Sequence, residues 1–205
     1  MANFILGTRG SLLAVTQSSI VANELKQQYP QHQFILKPIK TQGDMITHKP
    51  LWQIDGKDFF TKELDEALIS KEVDFVVHSY KDLSTERPQD IYLSAITKRK
   101  FPHDALLIKK ETLYKVQTKT KNELVVGTSS PRRQYLLQKN LEKILPFGKQ
   151  LSFRLESLRG NVNTRIEKLK NNGYDIICLA LAGLDRLTFL ESSYKQLKIL
   201  LEDIE

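Results

Sequence analysis

Leu124-Val125-Val126-Gly127-Thr128-Ser129-Ser130-Pro131-Arg132-Arg133 reads as a strand, a tight turn and the opening of a helix. The apolar run stops at a glycine, and Ser130 suits an N-cap. Pro131 falls on the first helical position, where its missing N–H costs nothing. The same order of residue types occurs earlier, at Phe4-Ile5-Leu6-Gly7-Thr8-Arg9-Gly10-Ser11. There the helical run brings Leu13, Ala14, Gln17, Val21 and Leu25 near one face and stops before Pro30. A second pattern also recurs. A helix-spaced segment from Phe59 to Glu72 precedes the strand Val73-Asp74-Phe75-Val76-Val77. Likewise a helix from Val162 to Leu169, stopped at Asn172-Gly173, precedes the strand Tyr174-Asp175-Ile176-Ile177-Cys178-Leu179. Gln33 to Ile39 and Ile91 to Ile96 add further strands, and a polar loop carries Gly43 and Asp44. Strands alternating with helices predict parallel α/β sheets with binding loops at the strand C-termini. The repetition predicts two similar domains facing each other across a cleft, residues 1–98 and 99–187. A polar amphipathic helix is expected as a tail over residues 188–205.

The composition narrows the function classes. In 205 residues, 40% are hydrophobic and 27% charged, as in ordinary globular proteins. No apolar run approaches the roughly 20 residues of a membrane-spanning helix. The N-terminus has no basic region and meets Gly7 and Arg9 too soon for a signal peptide, so a cytoplasmic location is expected. The single cysteine, Cys178, excludes an internal disulfide and a cysteine-based zinc site. Four histidines without close pairing argue against any metal. The net charge of +7 is uneven, at +1 over residues 1–100 and +6 over 101–205. A basic half suits nucleic acid, an anionic surface or an acidic small ligand. The lysines are scattered along helical stretches without interleaved aromatics, so nucleic acid ranks last.

The arginines are placed differently. Arg9 lies in one strand-to-helix turn, and Arg132 with Arg133 in the first turn of the other. Free N–H groups at helix N-termini attract anions, and cations there oppose the macrodipole. Two arginines at that position make sense with an anion between them and the helix end; solvated arginines on a surface helix are the alternative. Leu158-Arg159-Gly160-Asn161-Val162-Asn163-Thr164-Arg165 is a second cluster. Arginine grips carboxylates through a planar fork, so several at loop ends suggest a ligand with several carboxylates, although phosphates would satisfy them too. His78-Ser79-Tyr80-Lys81-Asp82 leaves the most apolar strand of the first half. Asp82 there can stabilise a developing cation or relay a proton to a leaving amine, or simply cap the next turn. His78 reads as a satisfied, partly buried ring.

Six stretches together resemble the porphobilinogen deaminase family, also called hydroxymethylbilane synthases. They are Gly7 to Ser11, Gly56-Lys57 with Phe60, Val77 to Asp82, Val126 to Gln134, Leu158 to Val162, and Leu181-Ala182-Gly183-Leu184-Asp185-Arg186-Leu187. The matches keep the family's order across residues 4 to about 187. The resemblance implies two α/β domains of the type II periplasmic-binding-protein sort around a cleft. It also implies a transferase of tetrapyrrole and haem biosynthesis. Such an enzyme joins four porphobilinogens head to tail, releasing ammonia, on a covalently held dipyrromethane cofactor. Asp82 would be its catalytic carboxylate. Arg9, Ser11, Lys57, Ser79, Lys81, Thr128, Ser129, Ser130, Arg132, Arg133, Arg159, Gly160, Arg165 and Arg186 would hold the acetate and propionate side chains.

The sequence also departs from that pattern. In the family a third domain supplies the cysteine that anchors dipyrromethane, and here the chain stops at Glu205. Cys178 lies within an apolar strand and matches no anchoring motif, so the anchoring cysteine is expected to be absent and the chain truncated. A separate third-domain polypeptide would then be a partner beside the anionic pyrrole substrate. The rival readings are an inactive homologue that binds tetrapyrrole precursors or other polycarboxylates, and an exported solute-binding protein.

Overall fold

A computed structural model describes residues 1–45, 59–85, 88–145, 148–171 and 173–205. The chain divides into two compact units, Met1–Arg99 and Lys100–Glu205.

In the first unit the elements are β1 (Asn3–Arg9), α1 (Leu12–Gln28), β2 (Gln33–Ile39), the one-turn α2 (Gln42–Met45), α3 (Lys62–Ile69) and β3 (Phe75–Val76). A 3-10 turn at Tyr80–Asp82 follows. Ser11 caps α1 by accepting the Ala14 N–H at 3.4 Å, and the helix closes at Tyr29, just before Pro30. The three strands form a parallel sheet in the order β2-β1-β3. Among the described residues, Leu6, Ala22, Leu64, Ala67 and Val73 are its buried apolar side chains.

The second unit runs β4 (Asp104–Ile108), α4 (Lys110–Gln117), β5 (Glu123–Gly127), α5 (Pro131–Ile144), β6 (Ser152–Glu156), α6 (Val162–Lys170), β7 (Ile176–Ala180), α7 (Leu181–Leu187) and α8 (Glu191–Leu200). The sheet order is β4-β7-β5-β6, with β4 antiparallel to β7 and the other pairs parallel. Leu124 and Val126 of β5, Ile176 and Cys178 of β7, and Leu137 and Leu141 of α5 form one core cluster. Each large aliphatic side chain buried there contributes roughly 1.5–3 kcal/mol. After α8 the chain turns back onto β4. Ile108 N–H donates to the Glu205 carbonyl at 2.9 Å, and Glu205 N–H to the Ile108 carbonyl at 2.8 Å.

The repeat read in the sequence is a repeat of structure. The strand order β2-β1-β3 in one unit matches β6-β5-β7 in the other. Gly7 pairs with Val76 as Gly127 pairs with Ile177. The aspartates two residues before those partners do the same work. Asp74 N–H donates to the Ile5 carbonyl at 2.8 Å while its carboxylate accepts the Ile5 N–H at 2.6 Å. Asp175 does likewise with Val125, at 2.8 Å and 2.9 Å. Gly127 is required by close packing, since a Cβ there would lie 2.7 Å from Tyr174 Cδ1.

Several expectations are corrected. Residues 91–96 form no strand, and Tyr92 and Ile96 are exposed. A strand needs a ladder, and the two-residue β3 at the sheet edge offers little to pair with. The strand that exists is β4, whose antiparallel course departs from the all-parallel expectation. The loop at Gly43 is a helical turn, with Gly43 N–H donating to the Phe59 carbonyl at 2.7 Å. The helix expected from Phe59 to Glu72 spans only Lys62–Ile69, and that of the tail only Glu191–Leu200.

Candidate functional site

In the second unit, parallel neighbours β5 and β6 end side by side, and each feeds a helix. Ser130 caps α5 by accepting the Arg133 N–H at 3.4 Å. Asn161 caps α6 by accepting the Thr164 N–H at 2.9 Å. Neither helix has an acidic residue in its first turn. The Ser129 hydroxyl ties the two turns together, donating to the Leu158 carbonyl at 2.6 Å. Thr128 is fully buried and its Oγ1 accepts the Ser130 N–H at 3.3 Å, so it shapes the turn from within.

Guanidinium groups gather at these helix ends. Arg165 Nε donates to the Gly160 carbonyl at 2.7 Å. Burial first, then the charges of Arg133 and Arg159, pull the Arg165 pKa below its ordinary value. Gly160 makes this turn at φ +117°, and a Cβ there would meet Thr164 Cγ2 at 2.8 Å. The Arg159 carbonyl accepts from Lys168 Nζ at 3.0 Å, which fixes the same loop. Arg133 is 16% exposed and Arg132 67%; both reach Asp104, through Arg133 Nη2 to Oδ1 at 2.6 Å and Arg132 Nη2 to Oδ2 at 3.4 Å. Arg133 Nε is buried with no hydrogen-bond partner. Arg186 sits in the last turn of α7, where the helix dipole favours a cation.

In the first unit the Arg9 guanidinium stacks 4.0 Å from the centroid of the Phe60 ring, a cation–π contact that orients the charge. Asp82 N–H donates to the Ser79 carbonyl at 2.9 Å, closing the 3-10 turn on which Lys81 is exposed and Asp82 half-buried. Ser79 Oγ donates to Gln17 Oε1 at 3.0 Å. His78 differs from its expected reading as a satisfied ring, because its Nε2 is buried with no partner. Burial pushes its pKa below the ordinary value, Asp82 opposes and Arg9 assists, so all three groups feel one another. Ser11 serves α1 as its cap. Lys57 lies outside the described residues.

Sequence reasoning missed Asp104 and the contact that joins Arg9 to Phe60, and no local signal marks either. Cys178 is buried in β7, and burial raises its thiol pKa. That is the environment of an inert thiol. Among the described residues no group of three metal-ligating side chains forms.

The class defined by these features is an α/β protein with a repeated βαβ framework and positive charge massed at two helix N-termini of its second unit. Residues 4–203 match the family model described as porphobilinogen deaminase, dipyromethane cofactor binding domain, and the chain belongs to that family. It is 38% identical over 200 residues to porphobilinogen deaminase of Clostridium novyi, covering 98% of this chain and 63% of that one. It is 40% identical over 204 residues to that of Sulfurimonas denitrificans, covering 100% and 61%. The chain thus spans less than two thirds of the length of these relatives. Among solved structures, the extracellular-binding protein ytmK of Bacillus subtilis aligns over 89% of this chain and 72% of its own, at 16% identity and TM-score 0.44. HinK, a LysR family transcriptional regulator from Pseudomonas aeruginosa, aligns over 87% and 52%, at 14% identity and TM-score 0.42.

Proposed function

We propose that this chain carries the pyrrole-binding and catalytic residues of a porphobilinogen deaminase. The reaction would be the head-to-tail condensation of four porphobilinogens to hydroxymethylbilane with release of ammonia. The observation that carries this reading is the placement of Arg133, Arg159 and Arg165 around the N-termini of α5 and α6, whose preceding turns are joined by the Ser129–Leu158 hydrogen bond, in a chain of this family. Each porphobilinogen brings an acetate and a propionate, and guanidinium forks and helix N-termini are suited to both. A chain acting on this substrate belongs in the cytoplasm.

The donor set fits a dipyrromethane as well, since that group presents the same carboxylates to the same arginines. Arg132, Arg133, Arg159 and Arg165 of the second unit would hold it. When bound, it supplies the pyrrole on which the product is built. Asp82 serves the reacting ring. As the amino group departs as ammonia, the substrate pyrrole becomes cationic, and a carboxylate beside it stabilises that charge. Arg9, braced on Phe60, holds a side-chain carboxylate and orients the ring.

The burial of Cys178 favours a second reading, in which these residues bind pyrrole precursors without turnover. Calorimetric titration with porphobilinogen, followed by an aldehyde assay for pyrrole consumption, tests both. Binding with consumption that is lost in Asp82→Asn supports catalysis. Binding without consumption favours the second reading, and absence of binding overturns the proposal.

A further inference from the structure

Asp104 is an acid in the most cationic part of the second unit. As the first residue of β4 it is backbone-paired with Ala180 of β7, so its carboxylate is anchored to the sheet and not to a mobile loop. It meets two arginines unequally. Arg133 is close and largely removed from solvent, whereas Arg132 is distant and exposed. Arg133 also lies within the electrostatic reach of Arg165, itself neighboured by Arg159. Like charges in a half-buried site drive one another toward water unless an anion holds them.

We propose that Asp104 is a positioning residue: it fixes Arg133 in its ligand-facing place against the repulsion of the neighbouring guanidiniums, and leaves Arg132 to close on the ligand's carboxylate. This rests on the reading of the site as a holder of pyrrole carboxylates. Ion pairing preorganises Arg133, so that binding an anion need not first order its side chain. Burial would raise the Asp104 carboxyl, but Arg133 and Arg132 hold it below the usual carboxylate value, so it remains an anion at neutral pH. Arg132, at 3.4 Å and exposed, exchanges partners at little cost. A competing carboxylate would have the opposite signature, because its removal would tighten ligand binding.

Porphobilinogen titrations of the wild type, Asp104→Asn, Asp104→Glu, Arg133→Lys and the Asp104→Asn/Arg133→Lys double variant decide the matter. Asp104→Asn is expected to weaken binding about tenfold, within the range found for residues sharing one ion-pair network. Asp104→Glu should recover part of that loss, and the asparagine should cost little once residue 133 is lysine. The guanidinium Nε–H resonance of Arg133 should be protected from exchange in the wild type and lose that protection in Asp104→Asn, with or without ligand. Additive losses, or equal or tighter binding by Asp104→Asn, would overturn the proposal. Wild-type protein that binds nothing while Arg133 stays protected would instead strike the reading of the site, and the ligand-facing role with it.

Discussion

Asp175 and Val125 hold each other twice, the Asp175 N–H on the Val125 carbonyl at 2.8 Å and the Val125 N–H on the Asp175 carboxylate at 2.9 Å. The second carboxylate oxygen accepts from Lys121 Nζ at 2.7 Å and Thr112 Oγ1 at 3.3 Å. Asp74 and Ile5 share the same pair of hydrogen bonds in the first unit, but there the carboxylate is exposed.

The two sites therefore differ in energy while sharing geometry. Asp175→Ala leaves the buried Thr112 hydroxyl and the half-buried Lys121 and Val125 N–H without this partner, and should destabilise the second unit by about 3 kcal/mol. Asp74→Ala, whose partners can turn to water, should cost about 1 kcal/mol. Amide exchange at Val125 and Ile5 reads each loss locally. Equal losses at the two amides would show that burial does not set the difference.

Gly160→Ala forces a side chain into φ +117° and against Thr164. The strain should cost about 1–3 kcal/mol. Because the Gly160 carbonyl holds Arg165 Nε, porphobilinogen affinity should fall together with stability. A variant destabilised as expected yet binding like wild type would dissociate this loop from the site.

The burial of His78 should make the first unit sensitive to pH. The unfolded imidazole takes up a proton near its ordinary value of 6.5, while the folded one resists until lower pH because it is buried. Between those two values the unfolded chain holds more protons, so stability falls as pH drops below about 6.5 and levels off beneath the folded pKa. His78→Gln should flatten urea midpoints across that window. An unchanged slope would assign the dependence to other groups.

Cys178 should react with a disulfide reagent only on unfolding, because reaching it means opening β7 between β4 and β5. Intact mass after incubation with porphobilinogen should show no adduct on it. An added mass of pyrrole units, absent from Cys178→Ser, would make this thiol a covalent anchor.

The parts of the fold legible in the sequence were those fixed by local chemistry. Gln33 to Ile39 matches β2, and Ser130 with Pro131 opens α5 as their cap and ring geometry dictate. What could not be read depended on partners far along the chain. Residues 91–96 have the composition of a strand but no ladder, whereas Asp104–Ile108 has a ladder because β7 folds beside it. The arginines of the second unit were visible as a pattern. The acid that meets two of them was not, because Asp104 lies 29 residues from Arg133 and joins it only through the sheet. His78 was legible as a half-buried ring, but its partnerless Nε2 emerges only from packing.

The return of the chain onto β4 brings Glu205 against Ile108, a few residues into the second unit. Residues 203–205 thus line the β4 edge of the sheet, and Lys110 N–H reaches the Asp203 carbonyl at 3.0 Å beside them. The Glu205 bonds occupy both backbone groups of Ile108 on an edge strand, where unpaired N–H and C=O groups would otherwise be a template for another chain's strand.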